Sequence, residues 1–144
     1  MIKRSAAVLM ALAVLPLAAC SLLGSGVQQF TVGECVSFDV ELTDEPSEVG
    51  ELPILDCTEP HDGEVYFIHS FEGDEYPADV LTTADEVCFN EFESYVGAPY
   101  ETSSLDIQYL YPTESSWELG DREVVCIVVP LEGQLSEAVK GSGL

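Results

Sequence analysis

Bases are nearly absent from this 144-residue chain: four lysines and arginines stand against 27 aspartates and glutamates, for a formal net charge of −23. So few cations exclude the phosphate-backbone contacts on which nucleic-acid binding depends, and the carboxylate excess repels anionic lipid head groups and wall polyanions. Histidine is scarcer still, with only His61 and His69. Neither H-x-x-x-H nor H-E-x-x-H spacing occurs, and residues eight apart on an extended strand lie about 27 Å apart, too far to share a metal. There is no C-x-x-C pair, no G-x-S-x-G elbow and no D-x-[DN]-x-[DN]-G loop. Those absences argue against a zinc knuckle, a thioredoxin-type redox site, a serine-hydrolase elbow and an EF-hand. No two of the many carboxylates are singled out as a glycosidase pair. No cofactor or metal is expected, and the chain reads as non-catalytic.

A long apolar run is missing too. The stretch from Ala6 to Leu15 is the main one, short of the roughly 20 residues a membrane span needs. It follows Lys3 and Arg4 and ends in "LAAC", residues 17–20, which resembles the bacterial lipobox. Residues 1–19 are therefore expected to be a lipoprotein signal peptide, cleaved before Cys20, whose thiol takes a diacylglycerol. "SLLGSGVQQ", residues 21–29, is uncharged and contains two glycines, so residues 20–30 read as the lipidated cysteine and a flexible tether. At about 0.8 kcal/mol per buried methylene, two or three acyl chains hold a protein on the extracytoplasmic face of the cell membrane. Cleavage removes Lys3 and Arg4 and no acid, leaving Arg122 and Lys140 against 27 carboxylates, a net charge of −25.

Cys35, Cys57, Cys88 and Cys126 remain. An even count outside the cytoplasm favours two disulfides, with three possible connectivities. Locality favours Cys35–Cys57 and Cys88–Cys126, each contributing roughly 3–4 kcal/mol on the chain-entropy model.

Along residues 31–141, expected to form one domain, the apolar period changes several times. "ECVSFDVEL" places Val36, Phe38 and Val40 on one strand face, residues 43–51 form an acidic loop, and "LPILDC" is a second short strand. Asp62-Gly63 signals a turn before a third strand from Glu64 to Phe71. In "YPADVLTTADEVCFNEFESYVG", Leu81, Ala84, Cys88, Phe92 and Tyr95 recur at helical steps. Pro77 suits the start of that helix, or Thr83 with Glu86 forms a capping box one turn later; Gly97 suits the stop. "SLDIQYLY" alternates Leu105, Ile107, Tyr109 and Tyr111 against Asp106, Gln108 and Leu110, "PTESSWELGD" reads as a loop, and "REVVCIVVP" suits a central strand. The last residues read as a turn and a fraying tail. The expected fold is a small α+β domain stapled by disulfides, with a mainly antiparallel sheet and one helix packed on a face.

Chemistry-bearing residues gather in "CTEPHDGEVYF", where Glu59, His61, Asp62 and Glu64 crowd behind Cys57. The structural reading is preferred: Cys57 in a cross-link, Pro60 and Gly63 shaping a turn, and His61 bonded to the turn backbone. Trp117, with Tyr109 and Tyr111, suits either a recognition face or the core. Arg122 is expected to pair with Asp121 or Glu123. Trp117, Arg122 and His61 are the candidates for contact with a partner.

In order along the chain, "VGECVSFD", "LDCTEPHDGEVYF", the helix ending in Tyr-Val-Gly, "YPTESSWELGDREVVCIV" and "GQLSEAVKG" resemble the septum formation family of actinobacterial cell-envelope proteins. The resemblance spans residues 32–141 and implies an extracytoplasmic module connected with septation, without a catalytic residue set. The family's usual mixture of charges is replaced here by a strongly acidic one. The expected function is a lipid-anchored module that binds an envelope protein during septum formation or wall growth. A ligand- or metal-binding envelope lipoprotein, or a hydrolase of wall polymer, is the alternative.

Overall fold

A computed structural model describes residues 26–38 and 50–144. Cys20, the expected signal peptide, Val40 and most of the expected acidic loop lie outside the described residues. Five strands form one antiparallel sheet: β1 (Cys35–Val36), β2 (Ile54–Leu55), β3 (Gly63–Ser70), β4 (Leu105–Leu110) and β5 (Glu123–Pro130), in the order β2-β1-β3-β5-β4. Helix α1 (Val80–Val96) packs on one face, and a short helix, α2 (Glu114–Glu118), links β4 to β5. This is the small α+β domain, stapled by two disulfides, that the periodicities imply.

The unbroken apolar run of β5 has a simple cause. Val124, Cys126 and Val128 face α1, where Tyr66, Leu105, Ala84, Phe92 and Val96 complete one core. Val125, Ile127 and Val129 face the other way, against Val36, Leu52, Val65 and the flanking Phe30, Phe38 and Leu110. Both faces of β5 are covered, so both sets of alternating positions must be apolar. Strand β3 breaks strict alternation with a bulge between Val65 and Phe67. Tyr66 and Phe67 both pack toward the α1 core as a result, and the phase resets so that Ile68 faces the second core.

Helix α1 buries Val80, Ala84, Cys88, Phe92, Tyr95 and Val96. Leu81, expected on this stripe, is 46 % exposed. The inward row is Val80 with its neighbours four residues apart, and Leu81 is rotated about 100° from it. Neither expected start holds. The helix begins at Val80 after Asp79, whose side chain makes no cap, and Thr83 lies in the first turn with its N–H on the Asp79 carbonyl at 2.9 Å. The expected stop is present: Gly97, at φ 85°, donates to the Glu93 carbonyl, a left-handed position suited to glycine.

Three other expectations change. Gly63 is not a turn residue but the first residue of β3; a Cβ there would stand 2.6 Å from Ile127 Cγ2 and 3.0 Å from the Val128 carbonyl oxygen. Glycine is needed for close approach of strands, not for turn geometry. "PTESSWELGD" is not wholly loop, because Thr113 and Ser116 make a reciprocal capping box at the start of α2. The C-terminal residues do not fray. His61 and Leu135 exchange backbone hydrogen bonds at 3.0 and 2.9 Å, and the Gly141 and Gly143 N–H groups donate to the carbonyls of Tyr95 and Val96. Those carbonyls end α1 and have no partner within the helix, so the terminal segment caps it.

Candidate docking groove

The crowded turn is built to hold segments together. Asp62 Oδ2 accepts hydrogen bonds from Ser37 Oγ at 2.6 Å and the Phe38 N–H at 2.7 Å, while Oδ1 accepts from Gln134 Nε2 at 2.8 Å. Burial pushes the Asp62 carboxyl up, but the bonds from Ser37, Phe38 and Gln134, with the His61 ring nearby, outweigh it and leave its pKa below the ordinary carboxylate value. Glu64 is only 1 % exposed. Its oxygens accept the Tyr95 hydroxyl at 2.5 Å and the Val139 N–H at 2.6 Å, so sheet, helix and terminal segment meet on one carboxylate. Tyr95 is held neutral well above the usual tyrosine range, by burial and by the Glu64 hydrogen bond and charge.

His61 is wholly buried. Its Nδ1 lies 2.8 Å from the Glu59 carbonyl, so Nδ1 carries the proton and donates. Nε2 is buried without a hydrogen-bond partner among the described residues. The bond to the turn backbone matches the structural reading, but the ring faces the interior and offers no surface to a partner. No group of three or more potential metal ligands occurs among the described residues.

Trp117 and Arg122 are joined in one structural unit. Trp117 is 5 % exposed, its Nε1–H donates to the Asp74 carbonyl at 2.9 Å, and Phe71 and Tyr76 pack edge-on against it. The Arg122 guanidinium lies 3.7 Å from the indole centroid. Its hydrogen bonds go to the carbonyls of Trp117 and Asp121, each at 2.7 Å, and of Gly73 at 3.3 Å. Arg122 therefore bonds backbone carbonyls among the described residues, where a carboxylate of Asp121 or Glu123 was expected. The bonding pattern follows from Trp117: stacking on the ring aims the guanidinium at the carbonyls around α2.

Both disulfides join the pairs that locality favours. Cys35–Cys57, with Cα atoms 5.3 Å apart, ties β1 to the turn after β2, and Cys88–Cys126, at 5.4 Å, ties α1 to β5. The Tyr66 hydroxyl donates to the Cys88 carbonyl at 2.6 Å and reinforces the second staple. Burial holds Tyr66 neutral far above its ordinary range.

What the periodicities did not reveal is a groove of about 500 Å³ beside the β4–β5 end of the sheet. Leu110 and Val125, partners across the two strands, line it with Val27 and Phe30 from the N-terminal segment and Leu119 after α2. Gln28 fixes that N-terminal segment through two 2.8 Å hydrogen bonds to the Leu52 backbone. Tyr109 and Tyr111 contribute the aromatic part, and Glu51, Asp121 and Glu123 the charge; no lysine or arginine among the described residues lines it. Asp121 is already engaged, accepting from Ser116 Oγ and the Glu123 N–H. Leu119 is 60 % exposed. The surface is apolar and aromatic with carboxylates at its border, which suits recognition.

No helix among the described residues is long and apolar enough to cross a membrane. Neither a curated protein nor a solved structure matches the chain. The sequence motifs find their counterpart elsewhere: a family model described as septum formation matches residues 32–143, which include both disulfides and the whole sheet. The chain belongs to the septum formation family, which points to a role in cell division or the envelope.

Proposed function

We propose that this protein is a non-catalytic module, lipid-anchored through Cys20 on the extracytoplasmic face of the cell membrane, that binds an envelope protein during septum formation or wall growth. The observation that carries this reading is the groove beside β4 and β5, with its aromatic and apolar lining and its exposed Leu119. The acids and the arginine singled out in the sequence are committed to structural contacts. Asp62 and Glu64 bind backbone and side-chain donors that hold the domain closed, and Arg122 is locked on Trp117. The lipobox-like "LAAC" supports the anchor.

The test is the position of a tagged, full-length protein in dividing cells, beside a Cys20→Ala version. Enrichment at the septum that depends on Cys20 supports the anchor and the septal role together. Uniform distribution around the envelope removes the septal role, and a Cys20→Ala protein that stays with the membrane removes the lipid anchor.

A further inference from the structure

Neighbouring titratable residues hold the terminal segment down. The His61 backbone exchanges both its hydrogen bonds with Leu135, Asp62 Oδ1 accepts from Gln134 Nε2 at 2.8 Å, and the Glu64 carboxylate accepts the Val139 N–H at 2.6 Å. Gly141 and Gly143 then close the end of α1 by donating to Tyr95 and Val96. Of residues 131–144 only Leu135 and Val139 are buried, so these polar contacts supply much of what keeps the segment in place.

His61 differs from the two acids in where a further proton must go. Nδ1 already carries one and donates to the Glu59 carbonyl at 2.8 Å, which leaves Nε2 as the site for another. That atom is buried, with no hydrogen-bond partner among the described residues, in a ring that is 0 % exposed. An imidazolium there places a charged donor in the interior, which is unfavourable without a carboxylate to balance it. The backbone that carries the ring is also the one paired with Leu135. Bringing the ring to water and parting that bridge are therefore coupled movements.

The charged groups around the turn are otherwise engaged. Asp62, the carboxylate beside the ring, is the one that favours a second proton on it, and Ser37, Phe38 and Gln134 already draw on its charge. Glu59 turns its carbonyl to the ring and is itself exposed. On β3, Glu64 is taken by Tyr95 of α1 and by Val139. The terminal segment brings Lys140, 5.5 Å from the Tyr95 ring centroid, and the exposed Glu132 and Glu137. From β1 and β5 the residues that meet the turn are apolar: Val36 pairs with Gly63, and Ile127 and Val128 crowd it.

We infer that His61 is a proton-operated release for the terminal segment. With one proton, on Nδ1, the ring stays inside and the segment is closed; a second, on Nε2, drives the ring to solvent and frees residues 131–144 from the turn and from the end of α1. Histidine is the side chain whose charge ordinarily changes between about pH 5 and 8, so mild acidification is enough. Opening uncovers the buried Glu64 carboxylate and the last carbonyls of α1, a surface the closed form hides. The release holds whatever the groove binds and whether or not Cys20 carries lipid.

The test is amide hydrogen exchange of the full-length protein at about pH 7.5 and about pH 5, corrected for intrinsic rates. A ring that has the ordinary histidine pKa of about 6.5 once open makes the opening equilibrium up to about thirtyfold larger at the lower pH. The expected result is exchange at the Leu135, Val139, Gly141 and Gly143 N–H groups that quickens by about threefold to thirtyfold, with Val125 and Ile127 of β5 unchanged. In His61→Asn, whose side-chain amide donates from the place of Nδ1 and gains no proton, that pH dependence is lost. A change below about threefold in the parent, slower exchange in acid, or a response that survives His61→Asn overturns the release. Where His61→Asn does not fold, the Cε1–H resonance of His61 in the parent serves: the ring should gain its proton in step with the faster exchange, and either change without the other overturns the release.

Discussion

The Tyr95 hydroxyl donates to the Glu64 carboxylate at 2.5 Å across 31 residues of sequence, and the second oxygen of that carboxylate takes the Val139 N–H. A buried acid is thus the junction of β3, α1 and the terminal segment. Removing one side of such a contact leaves the other buried without a partner, which costs more than the bond itself contributes.

Tyr95→Phe is expected to lower stability by about 1–3 kcal/mol by leaving one Glu64 oxygen without its donor. Glu64→Ala should cost more, because it also strands the Val139 N–H and opens a cavity. Equilibrium denaturation gives the magnitudes. Limited proteolysis should show the terminal segment cut earlier in Glu64→Ala, and unchanged cutting would disprove the junction.

The two disulfides should differ in worth. The Cys88–Cys126 bridge closes 38 residues and Cys35–Cys57 closes 22, so chain entropy makes the first slightly more stabilising, both within roughly 3–4 kcal/mol. Paired Cys→Ala variants measured by urea denaturation check the order. The larger loss is expected for Cys88/Cys126, which also clamps α1 to the sheet.

Asp62 sets part of the acid response. Its folded pKa lies below the ordinary value, so its contribution is present above the unfolded pKa of about 3.9 and is lost as pH falls through the lower folded value. Urea denaturation of the parent and of Asp62→Asn between pH 6 and the acid limit isolates it. The difference between the two should shrink below about pH 4; a constant difference would refute the assignment.

On the alkaline side the sign reverses. Tyr109 is pushed up to about 12 by burial, with the Asp85 hydrogen bond and charge adding to it, and Tyr66 and Tyr95 are held higher than their ordinary range as well. Stability present below the unfolded value near 10 is lost as pH rises through the folded values. Absorbance at the phenolate band should show these rings ionising with unfolding. A full phenolate signal while the far-ultraviolet dichroism stays native would contradict their burial.

Arg122→Ala should uncover the indole of Trp117, shifting its emission to longer wavelength and lowering stability by about 1–2 kcal/mol from lost stacking and hydrogen bonds. Arg122→Lys is expected to recover little, because an ammonium lacks the planar fork that reaches three carbonyls from one stacked position. Recovery of parental emission with lysine would mean that charge alone matters.

Much of this fold was legible because its signals are local. A β-branched run apolar at both phases marks a covered strand, and a cysteine on the apolar stripe of a helix marks a staple to the sheet, so α1, β3, β4, β5 and the two cross-links stand where the sequence suggests. The misplaced features depend on neighbours distant in sequence. Gly63 looks like half of a turn signal until Ile127 and Val128 come against it. Leu81 and Val80 are equally apolar, and only the docking of α1 selects which one is buried. The start of α2 rests on a serine at the third helical position where a glutamate or glutamine is the usual sign. Arg122 has two adjacent carboxylates in sequence, yet the indole directs it to carbonyls.

By itself the sequence determined an acidic α+β domain stapled by two disulfides, since charge, cysteine parity and apolar period are properties of composition and near neighbours. Tertiary structure alone decided that Glu64 and His61 are buried, that the terminal residues cap α1, and that a groove opens beside β4 and β5. Each of these depends on partners brought together across the sheet, as with Glu64 and Val139, 75 residues apart, and no local pattern encodes a contact of that range.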